Sequence, residues 1–198
     1  MRSFFALVAL VTAATAVYIR DDSGSVAASL TASNHFGAPN APQVAGATPG
    51  WYFGDHPASA NGAPWLKDPA LCASLAAAPH AIQCPGFGTV RARATTPPTP
   101  TYALVFQNLT KAIEAPDYLT FGLVDTDTDC QAVCTSVTGC VFINAYHDVN
   151  GQNGSPLLTC ALYSKTHNAT QATNAGGQTQ PDGKIDFITN SDGYNRTA

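Results

Sequence analysis

The chain has 198 residues, of which 45% are hydrophobic and only 11% are charged, and its formal net charge is −4. The charged share is less than half that of a typical soluble domain, and Glu114 is the single glutamate. This composition argues against a coiled coil or a long-helix bundle, which need Glu and Lys on their exposed faces. The negative charge excludes nucleic-acid capture by a basic surface, so we expect no nucleic-acid partner.

The first residues are typical of a secretory signal peptide. Residues 1–3 carry a positive charge, residues 4–11 are apolar, and residues 14–16 offer small side chains at a cleavage position. The apolar run is shorter than the roughly 20 residues that a membrane-spanning helix needs. We therefore predict a signal peptide over residues 1–16 and a mature protein that is secreted, extracellular or in the cell wall, with no membrane partner.

The next residues predict three successive parts. Residues 17–50 contain few large apolar side chains and cannot bury enough surface to offset the entropy of ordering, so we predict a flexible arm. Residues 51–94 are predicted to be a small aromatic, disulfide-stapled segment with a short helix that is capped by Asp68. Residues 95–101 are rich in Pro and Thr and predict a linker at the domain boundary.

Residues 102–196 predict an α+β domain in which one helix packs on a small, mostly antiparallel sheet. Aromatic and β-branched residues predict strands over residues 102–106, 118–124, 140–146 and 157–163, with a last edge strand over residues 185–188. Thr128 and Gln131 fit a capping box at the start of the helix, and Gly139 fits its end. A buried helix face is predicted by the helical spacing of Cys130, Val133, Cys134 and Val137.

The six cysteines and four sequons fit an oxidising secretory route. An even cysteine count predicts full pairing, although the residues alone leave open which cysteines pair. We predict glycosylation at Asn108, Asn168 and Asn195, whereas Pro156 disfavours the sequon at Asn153.

Two metal sites can be drawn from the sequence, and neither is favoured. The alternation of Asp125, Asp127 and Asp129 resembles a calcium loop, but Cys130 and Ser136 stand where Gly and Glu are needed. Helix capping is therefore the better interpretation of these aspartates.

The second metal site, a zinc site from Cys72, His80 and Cys84, lacks a fourth ligand, and the compartment favours a disulfide. We predict no metal and no cofactor.

No catalytic constellation stands out. The chain has no Gly-x-Ser-x-Gly elbow and no surplus cysteine for a nucleophile. Glu114, Asp117 and the aspartates of residues 125–129 are acids of the kind used in glycoside hydrolysis, but their spacing singles out none of them. We predict that the protein is not an enzyme.

The aromatic residues allow two interpretations. Flat rings on loops suit the faces of sugars, whereas the same rings are the main large side chains that an N-terminal core could use. The core is the favoured interpretation for Trp51, Tyr52 and Trp65. These three residues, with Tyr146 and His147, are nevertheless our candidate ligand-binding residues.

The cysteine pattern of the C-terminal half resembles a known family. The spacing Cys130-x3-Cys134-x5-Cys140-x-Phe142, followed by Cys160-Ala-Leu-Tyr163, is similar to the core of the PAN/apple domain, a secreted recognition module. The opening residues 102–110 and the closing residues 190–194 strengthen a resemblance that covers about residues 101–196. The whole chain resembles small secreted fungal proteins with an apple-like C-terminal unit, including those named fruiting-body-specific.

The resemblance implies both bridges and a function. It implies Cys130 with Cys160 and Cys134 with Cys140, which leaves Cys72 with Cys84. Full apple domains join their first and last strands by a third bridge, for which this chain has no cysteine near Tyr102 or Tyr194, so strand pairing alone must hold these ends.

The implied function is that of a non-enzymatic module that binds an extracellular protein or glycan, in a fungus at the cell wall or extracellular matrix. We expect its binding residues in the loops around residues 146–156 and 165–177. The alternatives are an extracellular polysaccharide hydrolase that uses acidic residues and a structural coat or effector protein. The sequence indicates no oligomeric state.

Overall fold

The computed structural model describes residues 23–88, 101–180 and 182–197. The predicted signal peptide and all but the last residue of the predicted linker lie outside these ranges. The fold is α+β, as predicted, with a mixed seven-stranded sheet, a separate two-stranded sheet and few helices. No helix of the described residues is long and apolar enough to cross a membrane.

The regular elements follow one another in chain order. The α-helices are α1 (Ser23–Ser29), α2 (Pro69–Ala76) and α3 (Asp127–Ser136). The strands are β1 (Tyr52–Phe53), β2 (Thr101–Leu109), β3 (Ala112–Ile113), β4 (Tyr118–Val124), β5 (Phe142–Val149), β6 (Leu158–Tyr163), β7 (Ala172–Asn174), β8 (Gly176–Thr179) and β9 (Ile185–Thr197). Short 3₁₀ helices lie at Ala32–Gly37, Pro57–Ser59, Gln152–Gly154 and Ala169–Gln171.

The main sheet has the strand order β1-β4-β6-β5-β9-β2, and β8 also pairs with β9. Only the β1–β4 pair of this sheet is parallel within the described residues. The prediction of a short edge strand at residues 185–188 was wrong, because β9 has 13 residues and lies between β5 and β2. Its second half is rich in Asn, Ser, Asp and Gly, which disfavour strands locally, and pairing on both sides overrides that preference.

The first and last strands of the C-terminal half are neighbours. Thr101 pairs with Thr197 and Tyr102 pairs with Arg196, so β2 and β9 close this part of the sheet without a disulfide. The hydrogen bonds of this ladder therefore hold the first and last strands together, as expected from the lack of a cysteine near Tyr102 or Tyr194.

The N-cap of helix α3 lies two residues before the predicted cap. Thr126 is the N-cap, and its Oγ1 accepts a hydrogen bond from the Asp129 N–H at 3.2 Å. The predicted capping box at Thr128 was wrong because Thr126 already satisfies the free amides of the first turn. The predicted buried face is present, since Cys130, Val133 and Cys134 have no exposed surface.

Two disulfides hold α3 and a third lies in the N-terminal half. The bridges are Cys130–Cys160, Cys134–Cys140 and Cys72–Cys84, the same pairs that the resemblance implied. Cys130–Cys160 joins α3 to β6 across 30 residues and restrains the unfolded chain by roughly 3–4 kcal/mol in the loop-entropy model.

The prediction of a flexible arm over residues 17–50 was wrong for its described part, residues 23–50. Leu30 and Phe36 are 1% and 4% exposed and belong to the same core cluster as Ile82 and Val133. The backbone is held too, because the Ile82 N–H donates to the Leu30 carbonyl at 2.9 Å. Leu30 and Phe36 are enough to order this segment, because both pack into a core that the rest of the chain supplies.

Trp51 joins the N-terminal half to the main sheet. Its ring is fully buried, and its Nε1 donates to Thr120 Oγ1 at 3.0 Å. A side chain at Gly122 would overlap this ring, which explains a glycine in the middle of β4. Because β1 then pairs with β4 and one cluster contains side chains of both halves, the two predicted units share one core.

Candidate functional site

A cavity of about 590 Å³ lies between the N-terminal loops and one end of the main sheet. Residues 42, 44–49 and 61–64 form its walls on the N-terminal side. Asp148, Gln152, residues 178–180 and Asp186 complete the lining from the C-terminal half. Most of the side-chain polar groups are therefore carboxyls and amides, and the apolar surface comes from Pro, Ala and Val.

Asp148 and Asp186 meet in this cavity because of the register between β5 and β9. Asp148 pairs with Ile188, so Asp186, two residues before it on β9, lies diagonally next to Asp148 on the same face. The two aspartates are only 7% and 4% exposed.

Strand β9 reverses the usual alternation at this point. Ile185 and Phe187 are 59% and 47% exposed, whereas Asp186 between them is buried. A strand with one face in the core normally turns its apolar residues inward and its charged residues outward. Packing therefore does not explain the buried acid, and such positions mark candidate functional sites.

The acid pair has unusual electrostatics. Burial raises the pKa of Asp148 to about 6, and the charge of Asp186 and a side-chain hydrogen bond with it act in the same direction, against a smaller opposing effect of Gln152. None of the ion pairs among the described residues involves Asp148 or Asp186. The pair therefore concentrates negative charge without a cationic side chain beside it in the described ranges.

Two acceptor oxygens around the pair lack hydrogen-bond donors. Asp148 Oδ1 is buried and has no partner, while Oδ2 accepts from Gln152 Nε2 at 3.4 Å. The Oε1 atom of Gln43 is also buried without a partner, and both chain neighbours of Gln43 line the cavity.

The remaining hydrogen bonds hold the cavity in shape. Asp186 Oδ1 accepts from the Gln178 N–H, and Gln178 Nε2 donates to the Gln43 carbonyl at 2.6 Å. On the other side, Asn61 Nδ2 donates to the Gln152 carbonyl. These bonds tie both N-terminal loops to the acid-bearing end of the sheet.

Gly151 places the Asp148 carboxyl. A Cβ atom at this glycine would overlap the carboxyl group of Asp148, which lies directly against the Gly151 backbone. The Gly151 N–H also donates to the Asp148 carbonyl at 3.1 Å. A glycine here allows the turn after β5 to fold back onto the acid.

The five candidate ligand-binding residues do not line this cavity. Trp51, Tyr52 and Tyr146 are at most 1% exposed, so their prediction as surface ligand contacts was wrong. Large aromatic rings stabilise the fold most when they are buried, and these three rings lie in the core. Trp65 is half-buried, and its Nε1 donates to the Gly54 carbonyl at 3.0 Å. His147 lies on the face of β5 opposite to the one that carries Asp148.

The aspartates of the calcium interpretation serve separate parts of the fold. Asp127 accepts from the Tyr194 hydroxyl at 2.9 Å, and Asp129 contacts the N-cap Thr126. In the described ranges, no group of three or more His, Cys, Asp or Glu side chains is arranged to hold a metal ion. The zinc alternative is excluded because Cys72 and Cys84 form a disulfide.

Asp125 is the hub of a polar junction. Its carboxyl accepts from the Tyr52 hydroxyl at 2.7 Å, from the Asp55 N–H at 2.7 Å and from His56 Nδ1 at 2.8 Å. Burial alone would raise the pKa of Asp125, but these hydrogen bonds outweigh it and hold the pKa below its ordinary value. The junction anchors the turn after β1 to the end of β4.

The other acids of the hydrolase alternative are also separated. Asp117 lies 3.2 Å from His167 Nε2, and the His167 ring packs edge-on against Phe142 and Tyr163 at 5.1 and 4.9 Å. Glu114 is exposed. Asp127 lies close to Asp192, and burial raises its pKa. Asp148 and Asp186 are the acids that the fold brings together in the cavity.

The predicted glycosylation sites differ in exposure. Asn108 and Asn168 are exposed, and the Asn168 side chain caps the 3₁₀ helix that follows it. Asn195 is half-buried, and its Oδ1 has no hydrogen-bond partner. Glycosylation at all three sites stays a prediction.

Sequence reasoning missed the acid pair but indicated one of its loops. Asp148 and Gln152 fall within the expected binding loop at residues 146–156. The second expected loop, residues 165–177, ends just before the residues 178–180 that line the cavity. The local sequence contains no signal for Asp186, because strand alternation predicts that an acid between Ile185 and Phe187 points outward. Comparisons with protein-family models, with curated proteins and with solved structures found no match to this chain.

Proposed function

We propose that the protein is a secreted, apple-like recognition module that binds carbohydrate in the cavity beside Asp148 and Asp186, at a cell wall or extracellular matrix. The observation that carries this proposal is a preformed cavity whose polar lining consists mainly of carboxyl and amide groups. Sugar hydroxyls both donate and accept hydrogen bonds, which suits carboxyls as acceptors and amides as either partner.

The size and walls of the cavity also fit a sugar. Small-ligand sites typically enclose about 300–1,000 Å³, a range that includes this cavity of about 590 Å³. Pro42, Val44, Pro49 and Ala63 add apolar surface against which the C–H groups of a sugar ring can pack. Because hydrogen bonds from Gln178 and Asn61 fix the walls, little ordering is needed on binding.

Secretion is supported by two features. The three disulfides are typical of proteins that fold in oxidising compartments, and the first residues resemble a signal peptide. An extracellular glycan or glycoprotein is therefore the partner class that this proposal names.

The test is a glycan-binding screen with the full, oxidised mature chain, followed by calorimetry on each glycan that binds. The variants Asp186→Asn and Gln178→Ala are expected to weaken binding about tenfold or more, since each removes a polar contact in the cavity. Asp182→Asn is the matched control because Asp182 is exposed in the same hairpin and, within the described part of the chain, forms its ion pair with Lys184. Glycan binding that both cavity variants leave unchanged would refute the location, and no binding to any glycan would refute the function.

Glycoside hydrolysis is the second candidate, and one observation favours it. The raised pKa of Asp148, about 6, keeps a proton available beside a second carboxyl, as a general acid requires. Release of new reducing ends from a polysaccharide panel, lost in both Asp148→Asn and Asp186→Asn, would favour hydrolysis over binding alone. Unchanged release in these variants would exclude the pair as the catalytic acids.

A further inference from the structure

A neutral sugar has no positive charge to balance the negative charge of the carboxyl pair. Two adjacent carboxyls lie more than nine-tenths buried at the floor of the cavity. Buried charges are normally paired with an opposite charge, because desolvation of an unpaired ion is costly. Among the described residues, Asp148 and Asp186 have no such partner.

The buried side-chain atom of the acid pair that lacks a hydrogen-bond partner is an acceptor. Asp148 Oδ1 is buried without a donor, while the Asp186 carboxyl accepts from the Gln178 N–H. A ligand that completes the site must therefore supply donors together with positive charge. A primary ammonium group has three N–H donors and one positive charge, whereas a hydroxyl has one donor and no charge.

A hard metal cation fits these oxygens less well. Calcium takes about six to eight oxygen ligands. The acid pair offers the oxygens of two carboxyls, and the described residues hold no third acid, Cys or His in a metal-binding group with them. An ammonium needs only three acceptors, which the oxygens of two carboxyls can supply.

We infer that the cavity selects an amine-bearing saccharide, in which the ammonium group of a 2-amino sugar lies between Asp148 and Asp186. This inference rests on the proposed function and narrows its ligand class. The amide side chains of the lining then contact the neutral hydroxyls of the sugar, and the acid pair binds the ammonium group. A low local dielectric strengthens the ammonium–carboxyl attraction relative to an exposed pair.

The experiment compares three trisaccharides that differ at one position of each ring. A glucosamine trimer carries the amine, an N-acetylglucosamine trimer carries a neutral amide, and cellotriose carries a hydroxyl. Binding of each to the oxidised full chain is measured by calorimetry with a chelator present. We expect the glucosamine trimer to bind about tenfold or more tightly than either neutral trimer, which is about 1.4 kcal/mol or more.

Variants then test whether Asp148 and Asp186 cause the preference for the amine-bearing trimer. Asp148→Asn and Asp186→Asn keep the side-chain shape and should each reduce glucosamine binding about tenfold more than they reduce cellotriose binding. Asp182→Asn makes the same change of charge on the exposed hairpin and should leave the preference intact. The wild-type comparison of the three sugars needs no variant, so a folding defect in one cannot obscure the result.

Each outcome separates the two proposals. Equal binding of all three trimers overturns the amine inference and leaves the proposed function standing. Calcium ions that bind the chelator-free protein and displace the glucosamine trimer would also overturn the inference, since the pair would then be a metal site. If no saccharide binds, the proposed function fails as well.

Discussion

The buried Asp148 should make the ligand-free protein less stable at neutral pH than at mildly acidic pH. Its pKa rises from 3.8 to about 6 on folding, mainly because burial disfavours the charged carboxylate. Between these two pH values the folded chain binds more protons at Asp148 than the unfolded chain does. The free energy of unfolding therefore falls as the pH rises through this window, and the loss is complete above about pH 6.

The size of this effect follows from the two pKa values. A change from 3.8 to about 6 corresponds to roughly 3 kcal/mol of stability that ionisation of Asp148 removes at pH 7. The neutral amide of an Asp148→Asn variant mimics the protonated acid at every pH. This variant should therefore match the wild type near about pH 4 and exceed its free energy of unfolding by up to about 3 kcal/mol near pH 7.

The assay is urea unfolding of both proteins, with the disulfides intact and no saccharide present, at intervals between about pH 4 and pH 8. The difference between the two curves reports the ionisation of Asp148 together with its coupling to Asp186, because the other titrating groups are common to both proteins. Asp182→Asn controls for the change in net charge, and its difference from the wild type should not follow the same window. Parallel curves for Asp148→Asn and the wild type would refute the proposed burial and coupling of this carboxyl.

Three further predictions test the fold that supports the site. Asn144→Ala should cost about 2–3 kcal/mol in urea unfolding, because the buried amide accepts from the Ile113 N–H at 2.7 Å and donates to Ser191 Oγ at 2.8 Å. Gly122→Ala should cost about 1–3 kcal/mol and shift the tryptophan fluorescence, since the new methyl group overlaps the Trp51 ring; unchanged emission would contradict this packing. Gly151→Ala should weaken saccharide binding through displacement of the Asp148 carboxyl, with a smaller effect on stability than on affinity.

Strands and helices with a strong local signal could be predicted from the sequence. Residues 118–124 form β4 as predicted, and the other aromatic and β-branched runs lie in β2, β5 and β6. Helix α2 begins after Asp68, whose Oδ1 accepts from the Leu71 N–H at 2.8 Å as its capping position predicts. In each case residues close in sequence determine the structure, so the pattern is visible locally.

The acid pair could not be predicted, because distant parts of the chain create it. Asp148 and Asp186 lie on different strands and become neighbours only through the β5–β9 register, which local patterns do not contain. The polar second half of β9 hides that register, since Asn, Asp and Gly disfavour strands in short windows. The burial of Asp186 between two exposed apolar neighbours becomes predictable only once β9 is given its full length.

The wrong prediction of a flexible arm at residues 23–50 also arose because contacts with distant parts of the chain determine the structure. This segment is poor in large apolar side chains, yet Leu30 and Phe36 enter a core built largely by other parts of the chain. Its small residues then leave room for the cavity, whose walls include residues 44–49. Larger side chains in this loop would fill that space. We therefore interpret the small-residue composition as a requirement of the cavity, which a mobile arm would not impose.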